Sequence, residues 1–92
     1  MSLYLISYDY HKQRDYRRLY ALLGSWGAKR LLESLWLASL TGTAAQVRSV
    51  LKSVADADDT FAVIELSSSA DWAVTAGAYV DGVTWLQTHI GR

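Results

Sequence analysis

The sequence predicts an α+β fold in which two helices cover one face of a four-stranded sheet. The first observation behind this prediction is a strongly apolar strand close to the N-terminus. The second is a run of strand-like residues in the middle of the chain, and the third is a pair of segments with apolar residues at helical spacing. In chain order these elements read β-α-β-β-α-β, which is the order of the ferredoxin-like sandwich.

The first half of this core is a strand followed by a helix. Over about residues 3–9 the strand alternates two sets of side chains, with Leu3, Leu5, Ser7 and Asp9 on one face and Tyr4, Ile6 and Tyr8 on the other. Asp15 is a suitable N-cap for the helix that follows, whose apolar positions are Tyr16, Leu19, Tyr20 and Leu23. Gly24 and Gly27 then bracket the expected end of that helix.

The second half contains two strands, a helix and a fourth strand. The extended segment 28–40 is too long for one ordinary strand, so we divide it near Glu33 and Ser34. Thr43 and Gln46 have the spacing of a capping box, which predicts a helix start at this point. The apolar face of that helix comprises Val47, Val50, Leu51 and Val54. An acidic loop then leads into a strand over 60–66.

We expect one domain over 1–92, with the ferredoxin-like core in 1–67 and a C-terminal extension in 68–92. The extension should be partly helical, with Asp81 as a candidate N-cap. Both faces of the predicted sheet are apolar, although a sheet face in contact with water is normally polar. Either the extension or a second protomer must therefore cover the second face, and we predict a symmetric homodimer.

Composition narrows the classes of protein to consider. Hydrophobic residues make up 51% of the 92 residues, and such an apolar load on a small domain favours self-association. The formal net charge is zero, which argues against strong non-specific binding of nucleic acid. There is no cysteine, so thiolate metal sites are excluded. Because no signal peptide or membrane-spanning run is visible, we expect a cytoplasmic protein without a membrane partner.

Four short motifs follow one another along the chain: Ile6-Ser7-Tyr8-Asp9, the stretch from Arg30 to Trp36, Leu40-Thr41 and Asp58-Asp59. Together they resemble one known family, the CRISPR-associated Cas-two proteins. The strand Ile6-Ser7-Tyr8-Asp9 is similar to the family's first strand, which ends in Tyr-Asp. The stretch from Arg30 to Trp36 resembles its Arg, Ser, aliphatic and aromatic pattern. Leu40-Thr41 and Asp58-Asp59 match its Leu-Thr and acidic pair, so the resemblance covers about residues 1–67.

The resemblance implies a homodimer with Asp9 of both protomers near the two-fold axis, where the pair would hold Mg²⁺ or Mn²⁺. The implied activity is that of a metal-dependent endonuclease acting on RNA or DNA. The chain departs from the family in having Leu37-Ala38 where Glu-Gly is usual, and in its long, Trp-rich extension. We therefore expect a standalone relative. The virulence-associated D ribonucleases are similar to the same family, which keeps a toxin-like ribonuclease as an alternative.

Further residues near Asp9 complete the predicted site. Lys12, Arg14 and Arg30 are candidates for phosphate contacts. Tyr8, His11 and Ser34 are candidate supporting residues, through base stacking, proton transfer and orientation respectively. Two alternatives stay open at this point. Asp9 is also typical of a turn carboxylate at the end of a strand, and the protein would then be a non-catalytic dimeric module that binds nucleic acid or another protein.

Overall fold

The structure is a computed structural model that describes residues 1–9, 16–56 and 59–91. Its elements, in chain order, are β1 (Ser2–Tyr8), α1 (Arg17–Ser25), β2 (Lys29–Leu32), β3 (Leu35–Leu40), α2 (Ala44–Ser53), β4 (Phe61–Leu66) and α3 (Val80–His89). No helix in the described ranges has the length and apolar character that crossing a membrane requires.

The four strands form one antiparallel sheet in the order β2-β3-β1-β4. The central strand β1 pairs with β3 on one side and with β4 on the other. The α+β class is confirmed, and this strand order is consistent with the ferredoxin-like arrangement. Because β1 is central, its C-terminal end lies between the ends of two neighbouring strands.

Local sequence signals account for the boundaries of most elements. The predicted division of 28–40 is confirmed, since β2 and β3 meet in a turn at Glu33 and Ser34. The capping box is also confirmed: the Thr43 hydroxyl accepts from the Gln46 N–H at 3.2 Å, and the Gln46 side chain accepts from the Thr43 N–H at 2.8 Å. Gly27 follows α1 with φ of +70°, a conformation that favours glycine.

Helices α1 and α2 cover what we call the first face of the sheet. Their apolar residues pack on Tyr4, Ile6 and Tyr8 of β1, as the alternation along the strand predicts. The buried members of this core from the helices are Leu19, Leu23, Val47 and Leu51. The predicted N-cap Asp15 lies outside the described residues, and the residue that precedes α1 in the structure is Tyr16.

The C-terminal extension supplies a second core on the opposite, second face. Trp85, Leu86 and Ile90 are buried there against Leu31 and Leu37 of the sheet. The extension contains α3, but Asp81 is not its N-cap, because the helix begins at Val80 and its N-cap is Tyr79, two residues before Asp81. Asp81 instead lies in the first turn, where its carboxylate interacts favourably with the positive end of the helix dipole.

Gly82 sets how closely α3 approaches the sheet. A Cβ atom at this position would lie 2.5 Å from the Arg30 carbonyl oxygen and 2.6 Å from the Leu31 Cα. Both contacts are with β2, so the helix lies directly on the backbone of this strand. Only glycine leaves room for such an approach.

Candidate functional site

Asp9 is exposed and directly follows β1, and two hydrogen bonds fix its main chain. Its N–H donates to the Thr60 carbonyl at 3.2 Å, which extends the pairing of β1 with β4 by one residue. Its carbonyl oxygen accepts from the Tyr16 hydroxyl at 3.1 Å. The backbone of Asp9 is therefore held from two elements. The alternative in which the Asp9 carboxylate belongs to a turn depends on residues 10–12, which lie outside the described residues.

The carboxylate of Asp9 fits a hard divalent cation only in part. Across residues 1–9, 16–56 and 59–91, no three His, Cys, Asp or Glu side chains form a group that could hold a metal ion. Mg²⁺ keeps several water ligands and is often bound by one or two carboxylates, so a complete ligand cage is not required. One chain thus offers a single exposed carboxylate at this position.

The second face of the sheet remains partly open beside Asp9. Helix α3 packs on β2 and, more lightly, on β3, which leaves the side of the face formed by β1 and β4 less covered. Ile64 on β4 is 53% exposed, and Ala62 is exposed as well. These residues pair with Leu5 and Ser7 of β1. Since side chains alternate along a strand, Asp9 continues the row of Leu5 and Ser7 at the edge of this open strip.

Arg30, predicted to contact phosphate, is surrounded by aromatic rings. Its guanidinium carbon lies 4.7 Å from the ring centre of Tyr20, 4.7 Å from Trp36 and 5.4 Å from Tyr79. Its Nε and Nη2 atoms are buried without a hydrogen-bond partner, and the faces of these rings provide the electrostatic attraction instead. This geometry does not favour a phosphate contact by Arg30.

Tyr8 belongs to the same aromatic cluster and is buried. Its hydroxyl accepts a hydrogen bond from Trp36 Nε1 at 3.3 Å, and its ring lies 5.5 Å from that of Tyr16. Burial raises the pKa of Tyr8 to about 12, although the hydrogen bond from Trp36 acts in the opposite direction. These contacts favour a packing role for Tyr8 over the stacking of bases.

The aromatic cluster also raises the pKa of Arg30. Burial of the guanidinium acts to lower this pKa, but interactions with Tyr20 and Tyr8 outweigh that effect. The guanidinium therefore stays charged inside the cluster, where the rings of Tyr20 and Trp36 enclose it. Arg30 joins β2 to α1, β3 and the C-terminal extension.

Sequence reasoning missed Tyr79, which connects the extension to the β2–β3 hairpin. Its N–H donates to the Leu31 carbonyl at 3.0 Å, and its hydroxyl donates to Glu33 Oε2 at 3.2 Å. Tyr79 and Glu33 are far apart in sequence, so no local pattern indicates this contact. The one available signal is the general excess of aromatic residues in the chain.

The remaining predicted site residues fall into two groups. Ser34 is half-buried in the β2–β3 turn, and its carbonyl oxygen accepts from the Tyr8 N–H at 3.1 Å. Its backbone therefore supports the residue before Asp9, as part of the hairpin. His11, Lys12 and Arg14 lie outside the described residues, so their proximity to Asp9 stays a prediction.

No protein-family model matches the chain, and a search of the solved structures finds no match.

Proposed function

We propose that this protein is a Cas-two-like ferredoxin-fold homodimer in which the two Asp9 carboxylates hold one Mg²⁺ or Mn²⁺ ion and support hydrolysis of a phosphodiester bond. The observation that carries the proposal is the position of Asp9, exposed at the end of the central strand with its main chain fixed by Thr60 and Tyr16. A fixed backbone and an exposed carboxylate are what a shared metal site requires of each protomer.

The open strip on the second face supports the symmetric arrangement. Ala62 and Ile64 are exposed apolar residues, and their strand lies beside the row that leads to Asp9. A second copy placed on this strip about a two-fold axis would bury them and bring its own Asp9 towards the first. The C-terminal extension already covers the rest of the face, so a contact limited to the strip is compatible with α3.

The chemistry follows from what a carboxylate pair does. When bound, a divalent ion stabilises the charge that develops on the phosphate and lowers the pKa of a coordinated water. Each Asp9 would supply an oxygen ligand and orient the ion relative to the substrate. The exposed position admits a polynucleotide, whether RNA, as in the toxin-like alternative, or DNA.

A cleavage assay on RNA and on duplex DNA with Mg²⁺ or Mn²⁺ tests this proposal. We expect Asp9→Ala and Asp9→Asn to lower the rate by about a hundredfold or more, as losing the ligand of a catalytic ion would. Asp81→Asn is the matched control, because it removes an exposed carboxylate from α3, which packs mainly on β2 rather than on the strand that Asp9 follows. Cleavage by both Asp9 variants at the wild-type rate would exclude this site.

The second candidate is a non-catalytic dimeric module that binds nucleic acid or another protein, and one observation favours the form that binds a protein. The guanidinium of Arg30 is enclosed by rings, which removes one of the three cations predicted to contact phosphate. In this case the wild-type protein would show no metal-dependent cleavage. Binding to nucleic acid would then weaken steeply with salt, whereas binding to a protein partner would not show that dependence to the same degree.

A further inference from the structure

The two edges of the sheet differ in how they are covered. At the β2 edge, the Tyr79 N–H donates to the Leu31 carbonyl, so the C-terminal extension occupies part of that edge. At the opposite edge, no strand among the described residues lies beyond β4. An uncovered edge strand exposes a row of N–H and C=O groups that can pair with another strand.

The register identifies which groups of β4 point outwards. Asp9 N–H donates to the Thr60 carbonyl, so this pair is of the hydrogen-bonded type. Because the two types of pair alternate along an antiparallel ladder, Phe61, Val63 and Glu65 direct their N–H and C=O groups away from β1. The strand has no proline, and its only charged residue is Glu65. It is therefore suited to pairing.

Charges on both sides of this edge are complementary. Glu65 is exposed and pairs with Tyr4, so it lies on the first face, the same face as α2. On α2, Gln46 and Val50 line a cavity with Trp26 of the α1 end. Arg48 and Lys52 lie on the side of α2 opposite to Gln46 and Val50, and this side faces the β4 edge. Both are exposed.

We propose that the open edge of β4 pairs antiparallel with β4 of a second copy of this chain, about a two-fold axis at Val63. This register engages all three outward-facing residues and sets Glu65 opposite Phe61 of the second copy. Helix α2 ends at Ser53, near the start of β4, so Lys52 lies close to Phe61 of its own chain. Because Glu65 is opposite Phe61 of the second copy, it comes close to Lys52 of that copy. The two copies form one eight-stranded sheet with two Glu65–Lys52 ion pairs.

This edge contact is independent of the proposed function. A two-fold axis at Val63 holds the two Asp9 residues far apart. Each Asp9 lies beside the start of its own β4, and the two starts lie at opposite ends of the antiparallel pair. The edge contact and the contact that would pair the Asp9 residues therefore use different surfaces. Their failures are distinguishable, since one is measured by assembly mass and the other by cleavage in Asp9 variants.

The test is a charge-swap series in sedimentation and light-scattering measurements on the full chain. Glu65→Lys and Lys52→Glu should each weaken the edge contact by about tenfold or more and lower the assembly mass by about half at a suitable concentration. The double variant E65K/K52E restores opposite charges and should recover most of the wild-type association. Lys29→Glu is the control, a matched charge reversal on an exposed residue of the covered edge strand.

Circular dichroism of each variant confirms that the substitutions, all at exposed positions, leave the fold intact. The proposal is overturned if the wild type is monomeric at about 0.1 mM, a concentration at which even a weak specific contact is populated. Equal association of the wild type and the single variants also overturns it. So does a double variant that associates no better than Glu65→Lys alone.

Discussion

Arg30 contacts the rings of Tyr20 in α1, Trp36 in β3 and Tyr79, the residue that precedes α3. A guanidinium stacks on aromatic faces through its planar shape, and a lysine ammonium cannot reproduce this geometry. We therefore expect Arg30→Lys to lower the free energy of unfolding by about 1–2 kcal/mol, in the range of partly desolvated cation–π interactions. Urea denaturation followed by fluorescence of the Trp residues measures the change.

Lys29→Ala is the control for that measurement. Lys29 precedes Arg30 in β2 and is exposed, and its removal should change the stability by no more than about 0.5 kcal/mol. If Arg30→Lys were as stable as the wild type, the rings would contribute little to holding Arg30, and its side chain would again be a candidate for phosphate contacts.

The raised pKa of Tyr8 predicts that the stability of the fold decreases at alkaline pH. Its pKa is raised by burial from 10.0 to about 12, so the folded state keeps this proton at pH values where the unfolded chain has lost it. The unfolded state then binds fewer protons, and stability falls as pH rises from 10 to about 12. Below pH 10 the hydroxyl is neutral in both states and has no such effect.

Comparison with Tyr8→Phe isolates this contribution from that of the other groups that titrate in the same range. The variant loses the hydrogen bond from Trp36 Nε1, so its stability should be lower at neutral pH. Its further decline between pH 10 and 12 should be shallower than that of the wild type. Parallel curves for the two proteins over this range would contradict the raised pKa.

At the scale of elements, the contact between α3 and β2 makes opposite predictions for two glycines. A Cβ at Gly82 would meet the backbone of Arg30 and Leu31, so Gly82→Ala should destabilise the protein by about 1–3 kcal/mol through overpacking. At Gly24 in α1 a Cβ would meet nothing within 4 Å, and alanine is the better helix former. Gly24→Ala should therefore stabilise the protein by up to about 1 kcal/mol.

Thermal unfolding of both variants measures these effects, and the opposite signs make each variant a control for the other. If Gly82→Ala were stabilising, α3 would lie farther from β2 than the structure indicates. A destabilising Gly24→Ala would mean that the exposed face of α1 makes a contact that the added methyl group disturbs.

The elements with local signals could be predicted from the sequence, and those that depend on distant contacts could not. The capping box at Thr43 and the division of the central strands near Glu33 are set by neighbouring residues. The start of α3 is different, because Tyr79 is bound to Leu31 of β2, and this long-range contact determines where the helix begins. The Asp81 prediction failed for that reason.

The candidate site shows the same division. The position of Asp9 after an apolar strand follows from alternation and from the resemblance to a known family. The enclosure of Arg30 needs α1, β3 and the extension to meet in space, and no spacing within the sequence encodes that meeting. The charge of Arg30 alone suggested a phosphate contact, but its aromatic surroundings decide the environment of the guanidinium.

At the scale of the whole molecule, the extension covers only part of the second face, which the sequence predicted to be apolar. Trp85, Leu86 and Ile90 are buried on β2 and β3, whereas Ile64 on β4 stays 53% exposed. The apolar character of the second face therefore has two explanations. The chain's own α3 accounts for one side, and a second copy is proposed for the other.

We propose that Asp9 forms a metal site only as half of a symmetric pair. Titration of the wild-type protein with Mn²⁺, followed by electron paramagnetic resonance or calorimetry, measures the number of ions bound per chain. We predict one ion for every two chains, and loss of that binding in Asp9→Asn while Asp81→Asn binds as the wild type does. Binding of one ion per single chain, or binding unchanged by Asp9→Asn, would contradict the claim.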